Sequence, residues 1–162
     1  MSAVKGALPM SASLPPRVAV LDDDQTILTL LHEVLTDAGY EAHTLRAGSG
    51  AHEVLRTLAP AAIVLAPAAD PNDAVGWRLL ALLARDPALR RIPLLVCVPD
   101  DGHAAERVTA LRPPRSTLLC TPVTLDDLLA HLERLLDRHT DAHATLPLQE
   151  HPLRYPCGHP LC

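Results

Sequence analysis

A chain of 162 residues that is 48% hydrophobic and 20% charged is long and apolar enough to bury one core, which excludes a disordered polymer. A formal charge of −5, with Trp77, Tyr40 and Tyr155 as the whole aromatic complement, argues against nucleic acid as a partner, because there is no basic excess and no platform for stacked bases. No apolar run reaches the length of a membrane span, and residues 1–16 lack the charged start and long apolar centre of a signal peptide, so the expected location is the cytoplasm.

Residues 1–16 are small, polar and punctuated by proline, and read as a flexible leader. Arg17–Leu21 follows as a strand. Val18-Ala19-Val20-Leu21 is continuously apolar, which fits a strand covered on both faces, and it runs straight into Asp22-Asp23-Asp24. Ile27, Leu30, Leu31, Val34, Leu35 and Ala38 then recur at helical spacing, with Asp24 placed to cap that helix and Gly39 to stop it. Glu41–Leu45 reads as a second strand. Ser49 is placed to cap a helix whose apolar side is Val54, Leu55 and Leu58, ended by Pro60.

Ile63-Val64-Leu65 marks a third strand within residues 61–66, and residues 67–74 form a loop containing proline and aspartate. Gly76–Arg85 reads as a helix, Leu94–Val98 as a fourth strand, and residues 102–111 as a weaker helix broken by Pro113-Pro114. Thr117–Cys120 is the fifth strand. Thr124-Leu125-Asp126-Asp127 has capping-box spacing and opens a last helix through Leu128, Leu129, Leu132, Leu135 and Leu136. Five strands alternating with five helices predict an α/β fold with a doubly wound parallel sheet and helices on both faces. Residues 139–162 carry no periodic pattern and read as a disordered tail, leaving 17–138 as the folded domain.

In order along residues 17–138, several motifs resemble the receiver domain of two-component response regulators: the acidic strand end, Ala38-Gly39-Tyr40 at a helix stop, Gly76-Trp77-Arg78-Leu79-Leu80 at a helix start, Arg85 to Pro93 leading into strand four, and Thr121-Pro122-Val123 before a capped helix. The resemblance implies a flavodoxin-like sheet of strand order 2-1-3-4-5. It also implies a phosphorylation site: an acidic pair binding magnesium, an acceptor aspartate ending strand three, a hydroxyl residue ending strand four, a lysine ending strand five, and an aromatic residue within strand five.

Matched residue by residue, the acidic pair is present as Asp22 and Asp23, but the acceptor position holds Ala66, the hydroxyl position Val98, the lysine position Thr121 and the aromatic position Leu118. A methyl group cannot take a phosphoryl group, and the chain's single lysine, Lys5, lies in the leader. Magnesium in such sites is held by few carboxylates together with waters and substrate oxygens, so only a weak ion is expected at Asp22 and Asp23. The expectation is a degenerate pseudo-receiver. Asp70 offers a shifted acceptor, at the cost of placing Pro67 inside a central strand.

Several other stretches carry readings of their own. Asp22-x-Asp24-x-Thr26 also matches the first motif of haloacid dehalogenase-type phosphatases, but no lysine follows Lys5 to complete that chemistry. Cys97 and Cys120, each one residue before a strand end, are expected side by side on neighbouring strands, as inert buried thiols rather than a redox pair. Cys157, His159 and Cys162 have part of a zinc-finger spacing, with His151 as a candidate fourth ligand. Trp77 reads as a partly buried core residue.

The chain is therefore expected to be a stand-alone, non-enzymatic signalling module that works by protein–protein contact, its partner a histidine kinase, another response regulator or a second copy of itself. The resemblance places that contact on the face of helix four, strand five and helix five, which includes Arg107, Arg112, Arg115, Glu133, Arg134 and Asp137.

Overall fold

β1 (Arg17–Asp22) lies inside the sheet, with β2 (Glu41–Arg46) on one side and β3 (Ala62–Leu65) on the other. The structure is a computed structural model and describes residues 14–68, 74–100, 103–111 and 115–141. The remaining strands are β4 (Leu94–Pro99) and β5 (Ser116–Thr121). The helices are α1 (Gln25–Asp37), α2 (Ala51–Leu58), α3 (Val75–Arg85), α4 (His103–Leu111) and α5 (Leu125–Asp141), with a 3-10 turn at Leu89–Arg91. All strand pairs are parallel and the order is β2-β1-β3-β4-β5, as the resemblance implied. α5 extends to Asp141, three residues past the boundary expected at 138.

The alternation of side chains along each strand divides the core in two. Val18 and Val20 of β1, Ala62 and Val64 of β3, Leu95 of β4 and Leu119 of β5 pack under α1 and α5. Ala19 and Leu21, Ile63 and Leu65, Val96 and Val98, and Leu118 face the other way, under α2, α3 and α4. Both faces of β1, β3 and β4 are therefore covered, which is why those strands read as unbroken apolar runs. β2 is an edge strand, and its polar residues blunt it: Glu41 takes an ion pair from Arg17 at 3.5 Å and lies 2.7 Å from His43 Nε2. No polar or charged residue is buried among the described residues.

Three sequence expectations are corrected. The buried face of α1 is Leu28, Leu31 and Leu35, whereas Ile27 and Leu30 are 38% and 42% exposed. Apolar residues come in adjacent pairs along this helix, so two stripes one residue apart fit the periodicity equally well. Only docking on the sheet selects between them. At α2 the cap is Gly50, without a side-chain hydrogen bond, rather than Ser49; the N–H of Ala51 instead donates to the Gly48 carbonyl.

The cysteines are not side by side either. The β4–β5 register sets Cys97 opposite Leu119 and Cys120 opposite Val98, a one-residue offset that sends the two side chains to opposite faces of the sheet. Cys97 keeps a free thiol and Cys120 is disulfide-bonded, so they do not bond to each other.

Candidate functional site

The C-terminal ends of β1, β3, β4 and β5 open onto a cleft of about 290 Å³. Its acidic wall is Asp22, Asp23 and Asp24, where the chain leaves β1 and turns into α1. Two of these carboxylates have local duties. Asp22 Oδ1 accepts the Asp24 N–H at 2.9 Å, and Asp24 Oδ1 accepts the N–H groups of Thr26 at 2.8 Å and Ile27 at 3.4 Å, capping α1 as expected. Arg46, the β2 register partner of Asp22, donates from Nη2 to the Asp23 carbonyl at 3.3 Å, which brings a guanidinium to the rim of the acidic wall.

The facing walls are apolar. Ala66 is the first residue after β3, and its N–H donates to the Leu21 carbonyl at 3.0 Å. Ala66 lines the same cleft as Asp22 and Asp23. Val98 of β4 is fully buried and lines the cleft with Cys97 and Pro99, while Thr121 closes it at the end of β5, opposite Pro99. Burial, and then the charge of Asp22, push the Cys97 thiol up to about 12, so it stays protonated at neutral pH. Leu118 of β5 belongs to the core cluster on the side of α2, α3 and α4 and does not line the cleft.

The fit of these residues to a divalent cation is poor. Among the described residues no group of three or more His, Cys, Asp or Glu side chains is disposed to hold a metal ion. Asp24 is turned to the helix, the Ala66 side chain adds no oxygen, and Arg46 brings positive charge. Asp70, Lys5 and the Cys157, His159, Cys162 motif with His151 lie outside the described residues.

Two features were not legible in the sequence. Gly76 abuts the segment after Ala66 so closely that a Cβ there would stand 2.9 Å from the Pro67 Cα, which explains a glycine in the first turn of α3. Next to it, Trp77 is 6% exposed, donates from Nε1 to the Ala68 carbonyl at 3.3 Å and carries the Arg107 guanidinium 3.9 Å above its ring. Trp77 thus does more than fill the core: it ties α4 to the chain leaving the cleft. No short-range signal pairs residues 77 and 107. A second cleft, of about 370 Å³, lies beyond β5 and is walled by Asp100, Pro122, Val123, Asp127 and His131.

No protein-family model matches the chain. Over 128 residues it is 32% identical to protein RcaC of Microchaete diplosiphon, an alignment covering 77% of this chain and 19% of RcaC. Over a further 128-residue alignment it is 30% identical to response regulator MprA of Mycolicibacterium vanbaalenii, covering 78% of this chain and 53% of MprA. The chain spans about half or less of the length of these curated relatives. Among solved structures, the chemotaxis response regulator CheY4 of Vibrio cholerae superposes with a TM-score of 0.64 at 20% identity, over 75% of this chain and 99% of that one.

Proposed function

The chain has the receiver fold and is related in sequence to response regulators, and from that premise we propose that it is a signalling module acting by protein–protein contact without accepting a phosphoryl group. The observation that carries this reading is Ala66, placed by its bond to Leu21 in the wall of the acidic cleft, where the resemblance calls for the acceptor. Phosphoryl transfer works by positioning and by neutralising charge around the transferred group. Here the walls facing Asp22 and Asp23 are Ala66, Val98 and Pro99, and Thr121 stands in place of the lysine. Any magnesium at Asp22 and Asp23 is accordingly weak. A switch also needs contacts that differ between two states, and Val98, Thr121 and Leu118 offer none of the usual ones.

The chain is not proposed as an enzyme, since the phosphatase reading needs Asp24 free for chemistry and its Oδ1 caps α1. The partner is another protein: a histidine kinase, a response regulator or a second copy. Among the described residues no helix is long and apolar enough to cross a membrane.

The test is incubation with a small acyl phosphate and magnesium, read by intact mass. No phosphate adduct is expected. An adduct that disappears in Asp70→Asn would replace this reading with a working receiver using a shifted acceptor.

A further inference from the structure

The two helical layers carry opposite charge. α1 and α5, as far as Asp137, present six carboxylates and one arginine, while α2, α3, the 3-10 turn and α4 present six arginines and two glutamates. These groups are all exposed. Each layer also leaves apolar side chains in solvent. On α1, Ile27 and Leu30 precede Glu33 and Asp37; on the other side of the sheet, Leu82 of α3 is 50% exposed between Arg78 and Arg85, near one helix turn from each. Among the described residues neither Arg78 nor Arg85 makes an ion pair, and neither do Glu33 and Asp37. Tyr40, which follows α1, packs against the core cluster under α5, where burial and then the charges of Glu133 and Asp137 push its phenol up.

We propose that copies of this chain associate head to tail, the Leu30 stripe of α1 in one copy seating on the Leu82 stripe of α3 in the next. Charge complementarity selects this occupant. A two-fold interface would set each patch against itself, carboxylates on carboxylates or arginines on arginines. A heterologous contact sets opposite charges around two apolar side chains that water would otherwise cover. The proposal deepens the interaction-module reading by naming a partner and rests on it. The phosphate-adduct experiment probes that reading separately, so the two failures are distinguishable.

The test is sedimentation velocity on the full chain. The mass should rise with concentration at about 0.05 M salt, and the association should weaken about tenfold or more at about 0.5 M, where charges are screened within a few ångströms. Leu30→Arg and Leu82→Glu, both at exposed positions, should each be monomeric with unchanged circular dichroism. An equimolar mixture of the two should recover association, because each variant retains the face the other has lost. A wild-type chain that stays monomeric at low salt, a variant that associates normally, or a mixture that fails to recover association would overturn the proposal.

Discussion

At the scale of single residues, the cleft shows how one substitution changes what neighbouring groups can do. Asp22 and Asp23 line the cleft where the resemblance expects a magnesium pair, but a methyl group at Ala66 supplies no third carboxylate, and Asp24 is committed to the helix. Magnesium at about millimolar concentration should therefore leave the thermal midpoint of the wild-type chain almost unchanged, since binding stabilises only in proportion to occupancy. Ala66→Asp should behave oppositely. Without metal its midpoint should fall, because a fourth carboxylate adds repulsion at the cleft; with magnesium it should rise clearly. A melting curve with and without the ion checks both outcomes, and a wild-type response as large as that of Ala66→Asp would contradict the weak-site reading.

At the scale of elements, α1 separates what periodicity specifies from what docking specifies. Leu28 is 1% exposed and packs under the sheet, whereas Ile27 one residue earlier is 38% exposed. Leu28→Ala should cost about 2–5 kcal/mol by leaving a cavity, while Ile27→Ala should cost within about 0.5 kcal/mol. Denaturant titration of the pair would show the difference directly, and equal costs would restore the face that the sequence pattern suggested. Two of the three expected caps behaved otherwise, Ser49 being the exception. Asp24 and Thr124 do what their positions predicted, with Thr124 Oγ1 accepting the Asp127 N–H at 3.1 Å, because a cap depends only on residues a few positions away.

At the scale of the whole molecule, α2 and the connection after α3 are joined by one carboxylate. Asp86 accepts the N–H groups of Ala88 at 2.8 Å and Leu89 at 3.2 Å, lies 2.9 Å from His52 Nε2 of α2, and faces Arg56 at 3.7 Å. Desolvation pushes this carboxyl up, but the two N–H groups, the Arg56 charge and the His52 ring together bring it below its ordinary value. A carboxyl with a depressed folded value contributes stability that is fully present above the ordinary aspartate range and is lost as the pH falls through the folded value. Asp86→Ala should therefore lower the midpoint by a few degrees at neutral pH and flatten the acid limb of the stability curve. If the variant and the wild-type chain lose stability in parallel below about pH 4, the normal titration range of aspartate, the joint contributes nothing.

By itself the sequence determined the order of strands and helices, the two-sided burial of β1, β3 and β4, the caps at Asp24 and Thr124, and which residue types stand where the resemblance expects an acceptor, a hydroxyl and a lysine. These are properties of composition, short spacing and residue identity, and they survive errors of a residue or two in where an element starts. Tertiary structure alone decided which α1 stripe is buried, which face each cysteine takes, that Arg46 lies beside the acidic wall, and that Trp77 stacks under Arg107. Each of those depends on register or rotation, where one residue moves a side chain by about 100° around a helix or to the other side of a sheet. The acidic end of β1 was legible as a site from the first strand. That its surroundings are apolar, that Asp24 is turned to its helix, and that the molecule's two faces are oppositely charged became visible only once the chain had folded around it.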